Sequence, residues 1–579
     1  MVHITPFAVE QWMDAYETTP GVLNVAETCA ASVSIDDLVA MSSGPAKNPI
    51  DTSAKLTYGA IPGSHTLRER IAAHCSTEGV QLMPEDVIVT QGAIGANFLA
   101  LYTLIGPGDH VICVYPTYQQ LYDTPRSLGA EVTLWKLKKE NGFVPDTDEL
   151  AGLIKPNTKM IIINNPNNPT GAPIPSSVID RISKVAEEQG IILFSDEVYR
   201  PLFHGGASGG NDTEVPNPVT TLGYHRTIAT GSMSKGYALA GIRVGWIASR
   251  DRSIISAIML ARDYTTISVS QIDDQVARFA LSPEVKPALV QRNIELARTN
   301  SAILKEFMDR YKSVCSWVEP KAGTTAFIRF TDKNGDPVDD VKLCLDLLDK
   351  AKLLFVAGSR CFGGDSDFKG YVRMGYVCET EVLVAGLKEL RAYIDKVANS
   401  TTKKKGFLLL VHETYRDIAF DEKLHVAASL GNYVLSLITA NKTLRETFLA
   451  AKEQISISGS VINEWIAIDA LSRREKILRD TTDEMMVRLQ MAESWIESEE
   501  LLEWVKPTGG VVCFPRIKQE PRGGFAVFYE GLLNKRATYV GPGHWFEMSD
   551  GFFRLGYGWP TQEELEGDMK AISAALRDE

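Results

Sequence analysis

Between about residues 85 and 249 the chain carries five short runs of β-branched and aliphatic residues: Val87–Thr90, His110–Val114, Met160–Ile163, Ile191–Phe194 and Thr227–Thr230. A strand with one face in water alternates apolar and polar residues, whereas a strand covered on both faces is apolar at nearly every position. Longer helical patterns separate the runs. The fold predicted is therefore α/β, a mainly parallel sheet flanked by helices. Downstream, residues 255–311 have long helical periodicity with Arg292, Arg298 and Lys305 at polar positions, and a smaller α+β unit is expected to run to about Val397.

The 579 residues allow about four ordinary domains or two large ones. Lys plus Arg total 60 against 73 for Asp plus Glu, and the net charge of −13 argues against a nucleic-acid partner. With 44% apolar and 23% charged residues the chain is neither disordered nor membrane-dominated, and no apolar run approaches the ~18 residues of a membrane helix. Eight cysteines without a C-x-x-C pair exclude a disulfide scaffold and give no metal-ligand spacing. The N-terminus shows no basic stretch followed by an apolar one, so a reducing, cytoplasmic compartment is expected and the sequons at Asn211, Asn399 and Asn441 carry no weight.

The polar, basic stretch 398–406 reads as a linker. Beyond it, part of the chain repeats. Ile267–Ser282 recurs as Ile457–Ser472 with 8 of 16 positions identical. Trp317–Gly323 recurs as Trp504–Gly510, Arg373–Tyr376 as Arg554–Tyr557, and Asp196–Arg200 has a weaker echo in His412–Arg416. Residues 407–579 thus read as a second, incomplete copy of the last half of the first unit.

Chemistry gathers at the strand ends. Gly231-Ser-Met-Ser-Lys235 follows an apolar strand, and Arg243 stands eight residues beyond the lysine. Two hydroxyls and an arginine could grip a phosphate while the amine reaches a carbonyl, which is the logic of a Schiff-base lysine. Alone, the motif reads better as a solvated loop lysine, by roughly ten to one. However, Asn164-Asn-Pro-Asn-Asn168-Pro-Thr-Gly171 follows a second strand and Asp196-Glu-Val-Tyr199 a third. Ligands of parallel sheets bind beyond the carboxyl ends of strands, so these residues are expected to converge.

With these motifs, residues 1–396 resemble the pyridoxal-phosphate enzymes of the class I/II aminotransferase family, with the aspartate-aminotransferase-like fold type I. Arg262–Ser270 and the short N-terminal segment resemble the branch that contains capreomycidine synthase. The resemblance implies an aminotransferase domain over 1–397, with a large domain of about 60–300 and a small domain from 1–50 and 310–397. It implies pyridoxal 5′-phosphate as cofactor and no metal. Lys235 would hold the cofactor and shuttle a proton, which asks for an amine pKa depressed by burial and cationic neighbours. Asp196 would pair with the ring nitrogen, Asn168 and Tyr199 with the ring oxygen, and Tyr118 would stack on the ring. Gly92, Ala93 and Ile94 at a helix start, with Ser232, Ser234 and Arg243, would bind the phosphate. Tyr58 would reach the phosphate of a second subunit, making the active unit a homodimer. Arg373 and Asn168 would hold the substrate, Arg373 gripping its α-carboxylate. Glu27 and Thr28 lie in the segment that closes over the substrate; read alone they are solvated loop residues, and if Glu27 faces the pocket a basic amino acid is its natural partner.

The tail has Arg554 and Tyr415 but no Ser-x-Ser-Lys and no Asn-Pro-Thr-Gly, and His412 replaces the aspartate. It cannot build such a site alone. The expected activity is amino transfer between an L-amino acid and a 2-oxo acid. Elimination, cyclisation or oxidation of an amino acid, and a non-catalytic cofactor-binding module, stay open.

Overall fold

A computed structural model describes residues 4–45, 47–206, 214–364, 367–399, 459–507 and 511–577. Most of the expected linker, the apolar runs Phe407–Val411 and Tyr433–Ile438, the echo at His412–Arg416, and Asn211 and Asn441 lie outside these residues. The helix Thr380–Asn399 continues through the first two positions expected in the linker. The described residues fall into two compact units, one of 4–399 with 459–464 and one of 465–577.

The first unit is built on a seven-stranded sheet. Its strands are β1 (Val87–Gln91), β2 (His110–Tyr115), β3 (Glu131–Lys136), β4 (Thr158–Asn164), β5 (Ile192–Asp196), β6 (Thr227–Ser232) and β7 (Val244–Ala248), ordered β1-β7-β6-β5-β4-β2-β3. Every expected run is a strand, and the sheet is parallel except that β7 runs antiparallel to both neighbours. Alternate residues of one strand enter opposite cores. Ile112, Ile161, Ile163, Leu193 and Ala229 join one apolar cluster, whereas Val111, Met160, Ile162, Ile192 and Ile228 join another. This explains the unbroken apolar runs: both faces are covered, and each fully buried aliphatic side chain contributes ~1.5–3 kcal/mol. Helix α1 (Gly92–Leu104) starts directly at the end of β1, and α2 (Gln271–Ala280) is capped by the Ser270 hydroxyl.

A smaller antiparallel sheet has the strands β8 (Cys315–Trp317), β9 (Thr325–Phe330), β10 (Val356–Ala357) and β11 (Tyr371–Gly375), ordered β10-β11-β9-β8. The N-terminal segment is laid against this end: Leu23–Asn24 pairs with Leu353–Leu354, and Gly375 N–H donates to the Val25 carbonyl at 2.7 Å. Gly375 has to be glycine, since a Cβ there would lie 1.6 Å from the Glu27 carbonyl oxygen.

The second unit repeats this small-sheet register. Besides the pair Leu502–Glu503 and Arg516–Ile517, it has a sheet of β12 (Val512–Cys513), β13 (Gly541–Pro542) and β14 (Phe553–Gly556), with β14 central and antiparallel to both. Val512 opposes Gly556 as Thr325 opposes Gly375, and Gly541 opposes Arg554 as Val356 opposes Arg373. The Arg554 guanidinium sits 5.2 Å from the Phe546 ring centre; the Arg373 guanidinium sits 5.6 Å from that of Phe362. Helix α3 (Val461–Ser472) begins in the first unit, which includes its residues up to Glu464.

Candidate active site

The carboxyl ends of β4, β5 and β6 deliver Asn164, Asp196 and Ser232 side by side, because these strands are parallel and in register: Asn164 opposes Asp196, and Asp196 opposes Thr230. Asp196 is 2% exposed. Burial pushes its carboxyl up to about 6, against hydrogen bonds that favour the anion. Those bonds come from Asn97 Nδ2 to Oδ2 at 3.0 Å and from Val198 N–H to Oδ1 at 3.1 Å. Asn97 Oδ1 in turn accepts from the Thr230 hydroxyl at 2.7 Å, so Thr230, Asn97 and Asp196 form a chain. Asn97 and Thr230 were not among the expected residues. The signal was a lone amide inside the apolar start of α1, since a buried amide requires partners.

Lys235 follows β6 on a short loop. Its ammonium donates to the Thr28 hydroxyl, lies 3.4 Å from Cys29 Sγ and forms an ion pair with Glu27 Oε1 at 3.6 Å. Burial opposes the lysine charge, but Cys29 and Glu27 favour it more, and the pKa is held above the ordinary lysine range. The expected depressed pKa is thus not what this arrangement gives, because the nearest ionised neighbour is an anion. Burial works against the Glu27 charge as well, yet Lys235 and the N–H groups of Thr28 and Cys29 bring its carboxyl down to about 2. Burial pushes the Cys29 thiol up to about 12. Glu27 therefore pairs with the lysine while its side chain stays 43% exposed to solvent.

Tyr199 is buried, packs its ring on Gly323 and has its hydroxyl raised above the usual range by burial. Asn168 N–H donates to Asn164 Oδ1 at 2.7 Å, and Asn164 Nδ2 to the Asp196 carbonyl at 3.0 Å, which ties the two loops together. The Tyr118 hydroxyl donates to Glu10 Oε1 at 2.8 Å, a partner on the N-terminal helix Ala8–Tyr16 that no motif announced.

At the start of α1, Gly92 has φ +70° and a Cβ there would lie 2.9 Å from Arg243 Nη2. A Cβ on Gly245 would lie 2.3 Å from the Gly92 carbonyl carbon. Two glycines thus let β7 touch the β1–α1 turn, and the Arg243 guanidinium lies across Gly92, next to Ala93 and Ile94 in the first helical turn. Arg243 Nη1 donates to the Ala240 carbonyl at 3.0 Å and reaches Ser234 Oγ at 3.5 Å, while Ser234 N–H donates to Ser232 Oγ at 3.1 Å. Arg373, on β11 and 3% exposed, donates from Nη2 to the Ala26 carbonyl at 3.0 Å. Tyr58 stands 65% exposed, and among the described residues none of these groups hydrogen-bonds its side chain.

Three buried polar atoms of the site have no hydrogen-bond partner among the described residues: Asn168 Oδ1, Arg243 Nε and Arg373 Nε. Unpaired buried polar groups are costly. Two guanidinium groups, an amide and a helix N-terminus suit a ligand that carries a phosphate, a carboxylate and ring heteroatoms, and pyridoxal 5′-phosphate with a bound amino acid is such a ligand.

Comparison with known proteins agrees. The sequence profile of the family Aminotransferase class I and II matches residues 46–389. Capreomycidine synthase of Streptomyces vinaceus is 32% identical over 346 residues, 59% of this chain and 82% of that one. An aspartate aminotransferase of Pyrococcus horikoshii is 28% identical over 345 residues, 58% of this chain and 83% of its own length. A crystal structure of a PLP-dependent aminotransferase from Streptococcus suis superposes with a TM-score of 0.62 at 36% identity, covering 69% of this chain and all of that one. With the match spanning more than half its length, the chain belongs to the class I and II aminotransferases, which use pyridoxal 5′-phosphate.

Proposed function

We propose that this chain transfers an amino group between an L-amino acid and a 2-oxo acid, with Lys235 as the group that links to the cofactor and carries the proton. The observation that supports this most directly is the convergence of Lys235, Asp196 and Tyr199 on one buried space bordered by the partnerless atoms of Asn168, Arg243 and Arg373. When bound, pyridoxal 5′-phosphate supplies an electrophilic carbon for the amine and a ring that withdraws electrons from the substrate α-carbon. The protein does the rest. Gly92, Ala93 and Ile94 offer backbone N–H groups, and Ser232, Ser234 and Arg243 offer hydroxyls and a planar cation, so this end holds the phosphate. Asp196, braced by Asn97, places an anion where a protonated ring nitrogen is needed. Asn168 and Tyr199 are positioned to donate to a phenolic oxygen, and Tyr118 offers a ring to lie against. Arg373, fixed through the Ala26 carbonyl and the Phe362 ring, presents Nε to a carboxylate. Lys235 must pass its proton on before it acts as a nucleophile, and the Glu27 carboxylate 3.6 Å away stabilises the ammonium to which it returns.

The likeness to capreomycidine synthase and the position of Glu27 support a second reading, cyclisation or elimination on a basic amino acid. The two separate in one measurement. Loaded enzyme given an amino acid and no acceptor releases one equivalent of 2-oxo acid per site if it transaminates; release of ammonia or consumption of oxygen instead sinks the first reading. Loaded protein absorbs in the visible, and Lys235→Ala removes that band if the lysine is the link.

The family also implies a neighbouring subunit, whose phosphate Tyr58 would reach, and the exposure of Tyr58 supports a neighbour at that corner. Sedimentation over a range of concentrations distinguishes a second copy from a neighbour within the chain. A reducing setting is supported by the buried thiols of Cys29, Cys75, Cys113, Cys315, Cys344 and Cys513; among the described residues no helix is long and apolar enough to cross a membrane.

A further inference from the structure

The second unit keeps the wall to which Arg373 belongs in the first. There, Phe327 opposes Arg373 across the β9–β11 pairing, and the Phe327 and Phe362 rings meet edge-on with centres 5.8 Å apart. In the second unit Cys513 opposes Leu555, so the next residue, Phe514, comes level with Arg554, and the Phe514 and Phe546 rings meet edge-on at 5.4 Å. Each arginine lies over the second ring of its pair, Arg373 over Phe362 and Arg554 over Phe546. Both of these rings close a short helical turn that a glycine starts, Gly358–Phe362 and Gly543–Phe546. Three side chains from three separate stretches thus recur in one arrangement, although the lysine loop does not recur.

The surroundings differ. Arg373 is buried, whereas Arg554 is exposed and borders an open cavity of about 580 Å³, large enough for a small ligand. Val505, Pro507, Val512, Phe514 and Phe546 give this cavity apolar walls. Cys513 also lines it, and burial pushes that thiol up to about 12, which keeps it neutral. Arg554 is therefore the one charged group of the lining. Among the described residues no hydrogen bond or ion pair engages its guanidinium, which rests on the Phe546 ring alone.

We propose, resting on the reading of Arg373 as the holder of the substrate carboxylate, that this cavity is a second, non-catalytic site for an apolar carboxylic acid, with Arg554 gripping its carboxylate. A guanidinium is a planar fork that matches the two carboxylate oxygens, and the ring beneath it keeps the plane turned one way. An aromatic or branched aliphatic body loses water against Val505, Val512 and Phe514, which favours such a body over a polar one. An amino acid would bring an ammonium as well, and no lining side chain is an anion that could pair with it. Desolvating that charge without a partner is costly. The cavity therefore selects a 2-oxo acid, or another acid without an amine, over the amino acid of the same side chain. With no lysine loop in this unit, the bound acid is released unchanged.

The test uses the cofactor-loaded full chain and 3-phenylpropionate, which has a carboxylate and a ring but neither an amine nor a keto group to react. Hydrogen exchange is followed at Phe553–Gly556 and at Tyr371–Gly375 as the acid is titrated. Protection of Phe553–Gly556 is expected, unchanged in Arg373→Ala and needing about tenfold more acid in Arg554→Ala. In the unsubstituted chain, L-phenylalanine, the same body with an ammonium, is expected to protect this strand only at about tenfold higher concentration. No protection of Phe553–Gly556, protection that persists undiminished in Arg554→Ala, or equal protection by phenylalanine overturns the proposal. Protection of Phe553–Gly556 with none at Tyr371–Gly375 upholds it and counts instead against Arg373 as the holder of a carboxylate.

Discussion

Glu27 and Lys235 set each other's charge. The carboxylate stabilises the ammonium, and the ammonium with two N–H groups keeps the carboxylate ionised down to about pH 2. Replacing Glu27 by Gln leaves burial as the main influence on the lysine, so its pKa falls. In cofactor-free Glu27→Gln protein, the pH profile for modification of Lys235 by an amine-reactive probe should move to lower pH; an unmoved profile would remove Glu27 from this role. Asp196 acts on a different atom. Asp196→Ala should lower kcat by about a hundredfold or more while the protein stays folded, measured in the half-reaction with an amino acid. Asn97→Ala takes a donor from the same carboxylate without touching substrate, and the expected effect is a smaller loss in kcat with little change in KM. Asp196 was legible in the sequence because it ends an apolar strand. Its brace was harder to see, because Asn97 and Thr230 lie far from it in sequence and meet only once α1 packs across the sheet.

At the scale of elements, the site depends on how closely β7 approaches the start of α1. Gly245→Ala would drive a Cβ into the Gly92 backbone, which has no flexible end to move aside. A loss of about 1–3 kcal/mol is expected, seen as a lower Tm, together with weaker retention of inorganic phosphate at the Arg243 end. The strands that were legible are those covered on both faces. β3 was missed because it is an edge strand whose residues Glu131 to Lys136 carry polar side chains, leaving no unbroken apolar run. β7 was missed because its five residues directly follow Arg243, which was read with the lysine loop, although all five are buried. The course of residues 23–28 along the small sheet had no sequence signal at all. It is set by pairing to Leu353–Leu354 and by the open space over Gly375, and it is what carries Glu27 and Thr28 to Lys235.

For the whole molecule, a pH dependence follows from two of the carboxyls that burial raises. Asp196 and Asp273 both stand at about 6 against an ordinary value of 3.8. The native state therefore holds these protons where the unfolded chain has released them. Their stabilising contribution is complete below about pH 3.8 and is lost as pH rises through about 6. Cofactor-free Asp273→Asn and Asp196→Asn proteins should each lose less Tm than the unsubstituted protein between these two pH values; equal slopes would contradict it. The repeat was legible in the sequence, but its contact with the first copy was not, because no one-dimensional comparison shows that Ser460 and Asn463 meet Asp273. The second unit bears on the first in another way. It keeps an arginine beside a phenylalanine ring on the central strand of a three-stranded sheet, Arg554 with Phe546, although it has no lysine loop for a substrate to meet. The chain thus carries an internal control for its own small sheet. What Arg554 and Phe546 preserve without that loop is the small sheet's own share of the Arg373–Phe362 pair, and what differs, an exposed guanidinium in one and a buried guanidinium with a partnerless Nε in the other, isolates the share that belongs to enclosing a substrate.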